Sequence, residues 1–186
     1  MFFTISYLVV FTLILCDGYT RHTNLKCEVL EKSVIKIPMC KLKVMGRGRI
    51  AANVELDILQ LPVESIQVKY SVFKKQNVYL PFLFNVSLDF CHFMKHPNRL
   101  NVFYYFHRAL MPYTNWNHTC PYNVSTSYHK IIIKDFVLTD EMFAKVPIPE
   151  GSYMFDVKVA SNYTWVANFH AYFDANLKQN FAKRTN

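Results

Sequence analysis

Histidine, cysteine and serine are the residues through which a chain of this size would do covalent or metal chemistry. His92 and His96 stand four apart, which on a helix would set both rings on one face, as a metal grip requires. The pair lacks the glutamate of a His-Glu-x-x-His motif, so ordinary surface or packing histidines are expected there. Neither a Gly-x-Ser-x-Gly elbow nor a phosphate-binding loop occurs. His107 falls on an apolar stripe and reads as a packed histidine whose ring donates one hydrogen bond. The chain is therefore expected not to be an enzyme, and to need no cofactor and no metal.

The sulfurs point to structure instead. Five cysteines occur, and Cys16 lies in an apolar leader, leaving Cys27, Cys40, Cys91 and Cys120. Four cysteines in an oxidising compartment imply two disulfides, with three connectivities open. Proximity in sequence favours Cys27 with Cys40 and Cys91 with Cys120. No pair has the close spacing of a zinc knuckle. A chain with all four oxidised keeps no thiol nucleophile.

Phe2 to Leu15 is an apolar-to-small run, shorter than the ~20 residues needed to span a bilayer and placed where secretory signals sit. Residues 1–18 are predicted to be a signal peptide, cut before Tyr19 to release a secreted, extracellular protein with no stable membrane insertion. Glycosylation sequons begin at Asn85, Asn117, Asn123 and Asn162 and favour the same compartment. The formal net charge is +8. Inside a nucleus that charge would suggest nucleic acid, but an extracellular setting makes a nucleic-acid partner unexpected. It leaves anionic lipid headgroups, acidic glycans, an acidic protein surface or plain solubility. Lys41, Lys43, Arg47 and Arg49 form one basic patch, and Lys74 and Lys75 near another turn could extend it.

Elements that would position these residues follow from period-two alternation. Ile50, Ala52, Val54, Leu56 and Ile58 share one face of a strand; Ile66, Val68, Tyr70 and Val72 share another. Leu80, Phe82, Phe84, Val86 and Leu88 make a third. Shorter strands carry Leu25, Cys27 and Val29, and Cys40, Leu42 and Val44. Two late strands carry Tyr153 to Val159 and Trp165 to Phe173. Ile131 to Leu138, with poor alternation, is the eighth. Between Phe90 and Pro112 the period turns helical, and two helices are expected over Cys91–His96 and Asn98–Met111. The second would present Leu100, Phe103, Tyr104, His107, Leu110 and Met111 on one face. The predicted fold is an all-β antiparallel sandwich of about eight strands, residues 19–174, with a helical insert near 91–111 and a polar tail from 175 to 186.

Aromatic residues make up 16% of the chain. Such rings can fill a core solidly or line a cavity between sheets, and composition does not separate the two. Val68, Tyr70, Phe82, Phe84, Phe103, Tyr104, Phe155 and Trp165, chosen for inward parity and size, are the candidate wall of a ligand site.

An ordered series of motifs adds to this reading. Thr23-Asn-Leu-Lys-Cys27, Cys40-Lys-Leu-Lys-Val44-Met-Gly-Arg-Gly48 and Pro81-Phe-Leu-Phe-Asn-Val86 come first, followed by Asp89-Phe-Cys91 and Asn117-His-Thr-Cys-Pro-Tyr122. Asp140-Glu-Met-Phe143 and Pro147-Ile-Pro-Glu-Gly-Ser-Tyr153 complete it. The series resembles a large insect family of small secreted proteins, a domain of unknown function that includes the CheB chemosensory proteins. That family is similar in turn to the ML lipid-recognition domains, such as the ganglioside activator. The resemblance implies an ML or immunoglobulin-like sandwich whose sheets part to admit an apolar small molecule such as a fatty acid or cuticular hydrocarbon. It carries over no ligand residue. Two functions stand: a secreted lipid binder, in chemosensation if the family resemblance extends that far, or a glycoprotein module with a solid core acting on an extracellular receptor. The helical insert, absent from a bare ML sandwich, would either cap a cavity or block it.

Overall fold

A computed structural model describes residues 19–46, 48–117, 119–123, 129–143 and 148–176. The leader at 1–18, Arg47 and residues 177–186 of the tail lie outside the described residues.

Eight strands form two antiparallel sheets: β1 (Tyr19–Val29), β2 (Ile35–Gly46), β3 (Arg49–Ile58), β4 (Ile66–Lys75), β5 (Tyr79–Asp89), β6 (Lys130–Val137), β7 (Gly151–Ser161) and β8 (Thr164–Asn176). Five strands make one sheet in the order β1-β8-β7-β4-β5, and three make the other in the order β2-β3-β6. The fold is the expected all-β sandwich. β4 buries Val68, Tyr70 and Val72 of its inner face, β3 buries Ala51, Ala52, Asn53 and Val54 in succession, and along β7 only Tyr153 and Ala160 are buried. Of four clusters, three join the two sheets, and the one that holds Val157 joins the large sheet to the helical insert. Tyr153 and Phe155 of β7 belong to one, Val157 to the second and Val159 to the third, while the fourth gathers Val63, Cys91, Cys120 and Tyr122.

Two disulfides, Cys27–Cys40 and Cys91–Cys120, hold the layers. The first joins β1 to β2 and so staples the two sheets along one side. The second ties helix α1 (Phe90–Lys95) to the segment that leads into β6. Beside it, Val63 and Tyr122 exchange backbone hydrogen bonds of 3.0 Å in each direction.

Several boundaries differ from the expectation. β1 starts well before Leu25, and a bulge between His22 and Asn24 lets Thr20 and His22 face inward with the half-buried Leu25, Cys27 and Val29. β8 runs to Asn176, so Ala175 is a core residue and not the start of a tail. Helix α2 covers Val102–Leu110 and is followed by a single 3-10 turn at Met111–Tyr113. Asn98 does not cap it, because its side chain accepts from Leu100 N at 2.9 Å in a turn of its own. Leu100 consequently lies outside the helix at 93% exposure, not on its apolar face. Asn101 is the true cap, accepting from Phe103 N at 2.9 Å.

His22 is among the buried residues that alternation did not single out. Its ring packs edge-on against Phe136 of β6, with centroids 5.6 Å apart, and neither ring nitrogen has a hydrogen-bond partner. Burial pushes the imidazole down to about 4 from 6.5; the nearby Phe136 backbone, short of an ordinary hydrogen bond, opposes this weakly. The unfolded chain therefore binds the proton first. Stability from the neutral ring is complete above about pH 6.5 and is lost as pH falls toward 4. Unfolding by urea should give a stability about 2 kcal/mol lower at pH 5 than at pH 7, and His22→Phe should remove most of that difference. Replacing Cys27 and Cys40 together by serine should cost about 3 kcal/mol in the same measurement on the loop-entropy model.

Candidate functional site

The inner face of the five-stranded sheet carries a continuous path of aromatic rings. Tyr70 of β4 lies 5.2 Å from Phe103 of α2 and 5.4 Å from Phe84 of β5. Phe84 meets Phe106 at 5.9 Å, Phe106 meets Phe155 at 4.9 Å, and Phe155 meets Phe173 at 4.9 Å. A bulge in β5 keeps this path together. Three residues of β5 advance against one of β4 between the pairs Ser71–Asn85 and Val72–Phe82, with Leu83 at φ 64°. Parity survives the insertion, so Phe82 and Phe84 both face inward.

The two ends of the path are packed differently. At one end Tyr153, Phe173 and Phe143 stack with centroids 5.4 Å apart and are fully buried. Toward the helices, Phe84, Phe103, Phe106, Phe155 and Val157 are all only half-buried. β7 is the middle strand of five, and the inward side chains of a middle strand bury completely when a sheet packs on a solid layer. Phe155, Val157 and Val159 do not.

Helix α2 roofs this region and none of its residues is fully buried. One oxygen anchors it. Asn101 Oδ1 accepts from Phe103 N and from the Tyr70 hydroxyl, each at 2.9 Å. Burial raises the Tyr70 hydroxyl to about 12, partly offset by the Phe103 backbone, and Tyr70 is 3% exposed. Tyr122 is likewise raised to about 12 by burial, and burial lowers His107. The aromatic layer is thus uncharged at neutral pH. His107 stacks on Trp116 at 6.4 Å and 12°, and neither His107 Nε2 nor Trp116 Nε1 has a partner. Lys74 borders this layer, its ammonium 5.8 Å over Phe82 and 5.7 Å over Tyr153.

Of the candidate wall, Val68, Tyr70, Phe82, Phe84, Phe103 and Phe155 are brought together. Two residues fall elsewhere. Trp165 is 43% exposed, because β8 bulges at Val166, two β8 residues advancing against one of β7, and the bulge turns the indole outward. Tyr104 packs edge-on against Tyr105 at 5.6 Å rather than on the sheet. Phe106, three residues after Phe103, takes the place expected for Tyr104. That spacing could have found it had Leu100 not fixed the predicted helix face.

Other chemistry-bearing groups are elsewhere. On the outer face of the large sheet, Ser71, Asp156 and His170 stand opposite one another on β4, β7 and β8. His170 Nδ1 lies 3.5 Å from Asp156 Oδ1, but Ser71 Oγ donates to Asn85 Oδ1 at 3.1 Å. The carboxylate therefore separates hydroxyl from imidazole, the wrong order for activating a serine. His92 and His96 face each other at 5.1 Å on the surface, and no group of three or more metal-binding side chains forms among the described residues.

The sequons differ in the same way. Asn85 is exposed. The Asn162 side chain instead accepts from Glu64 N and Ser65 N and donates to Pro62 O. Asn117 and Asn123 are exposed, but His118, Val124 and Ser125 lie outside the described residues.

The Asn101 junction gives a direct test. Asn101→Ala removes a helix cap and strands the Tyr70 hydroxyl, and should cost about 2 kcal/mol of unfolding free energy. Tyr70→Phe should cost about 1 kcal/mol, and the double variant should cost less than the sum, as a double-mutant cycle by denaturant titration would show.

No curated protein matches the chain at a significant level. Among the described residues no helix is long and apolar enough to cross a membrane. The likeness that emerges is to an uncharacterised family: the model for protein of unknown function DUF1091 matches residues 68–155, from β4 through both helices to the middle of β7.

Proposed function

We propose that the chain is a secreted, non-enzymatic binder of an apolar ligand, held inside the sandwich between the inner face of the large sheet and α2. The observation that carries this reading is the half-burial of Phe155 and Val157 on the middle strand, beside the half-buried Phe84, Phe103 and Phe106. Incompletely packed apolar surface facing an uncharged layer suits a hydrocarbon chain better than water. Each methylene moved out of water contributes about 0.8 kcal/mol, so a chain of about ten supports micromolar binding after association costs. Two disulfides, four sequons and the apolar leader favour an extracellular setting. The resemblance to CheB proteins and, further off, to ML domains makes fatty acids or cuticular hydrocarbons the ligands to try first, with chemosensation as the setting.

Delipidated protein should take up a long-chain fatty acid, alcohol or alkane with a change in Trp116 fluorescence. Val157→Phe, which fills the space, should weaken uptake by about tenfold or more while thermal unfolding stays close to that of the parent. Protein that binds none of the three ligand types refutes the reading.

A further inference from the structure

We propose that the paired hairpin tips at one end of the sandwich dock the protein on an anionic lipid bilayer. Strand direction puts the tips together. Val137 at the end of β6 pairs with Ala51 at the start of β3, so Leu138 marks the end where the β2–β3 hairpin turns. Leu138 packs with Val72, Tyr153 and Phe173, next to the pair Lys74–Tyr153 and the turn between β4 and β5. Strands lie about 4.8 Å apart and packed sheets about 10 Å, so the two tips fall within roughly 20 Å, inside one patch of membrane.

Their chemistry is matched. The described residues of 41–49 and 74–80 include no carboxylate and four cations free of the aromatic layer, Lys41, Lys43, Arg49 and Lys75, while Lys74 is held over Phe82 and Tyr153. Among the described residues, Lys41, Arg49 and Lys75 have no acidic partner, whereas Lys43 pairs with Asp135 at 3.4 Å. Asp140 accepts from the Thr20 hydroxyl, and Asp174 accepts from Ser152 and pairs with Arg21 at 3.7 Å. Glu141 and Glu150 are exposed, and Glu150 precedes Gly151, which lies against the Lys74 side chain. The same tips present apolar side chains to solvent: Val44 at 75%, Met45 at 45% and Val78 at 62% exposure. An acidic polysaccharide would use the cations and have no use for these residues. A bilayer uses both, the charges against its headgroups and the apolar side chains at the acyl boundary.

The test is independent of ligand uptake and uses ligand-free full chain as processed by a secreting eukaryotic cell. Sedimentation with vesicles of phosphatidylcholine and phosphatidylserine should exceed that with phosphatidylcholine alone, and should fall as salt rises. Each cation near the surface is worth about fivefold, so Arg49→Gln with Lys75→Gln should lower binding about 25-fold. Val44→Ser with Met45→Ser should lower it several-fold at unchanged charge and melting temperature. Equal sedimentation of parent and variants, no preference for anionic vesicles, or retention on heparin without vesicle binding overturns the proposal.

Discussion

Three strands cannot cover five, and much of this architecture answers that mismatch. The small sheet lies against β1 through β2 and is fastened there by Cys27–Cys40. That leaves β5 and the part of β4 around Val68 and Tyr70, at the opposite side of the large sheet, with apolar faces that the small sheet does not cover. Exposed phenylalanines along two adjacent strands would be costly and prone to association. The insert between β5 and β6 resolves the problem with two short helices: α1 buries Phe90 and Phe93, and α2 lays Phe103 and Phe106 over the rings of the sheet.

Covering a sheet with a helix differs from covering it with another sheet. A helix approaches along one narrow stripe, so neighbouring side chains on the sheet keep part of their surface. Phe155 and Val157 sit under that edge, which accounts for their incomplete burial on a middle strand. The roof is held unevenly. α1 is tied by Cys91–Cys120, whereas α2 meets β4 through the hydrogen bonds shared at Asn101 Oδ1 and through ring contacts alone.

Most of the strand plan was legible, because one wet and one dry face impose period two on β3, β4, β5 and β7. The bulges were not. At β6 the pairs Val54–Ile133 and Ala52–Phe136 enclose an extra residue, with Asp135 at φ 52° and its amide on Asn53 Oδ1. That inserted residue is the reason alternation looked poor between Ile131 and Leu138. The same kind of insertion at Val166 turned Trp165 outward, and one near His22 hid a buried imidazole. Such shifts depend on which residues a partner strand offers, and local pattern does not record that. The helix boundary failed for a different reason. Asn98 and Asn101 are equally good caps on paper, and the choice was made by Tyr70, thirty-one residues away in sequence.

Asn162 carries an obligation that its motif hides. Its amide holds the loop before β4 to the β7–β8 turn, with the oxygen on two main-chain N–H groups and the nitrogen on Pro62 O. Attaching an oligosaccharide to that nitrogen leaves it a single hydrogen. Only an amide orientation that keeps this hydrogen on the proline carbonyl preserves the clasp. Carbohydrate there would therefore have to leave along a fixed direction, away from the Pro62 loop, making the first sugar an extension of the turn rather than a loose ornament.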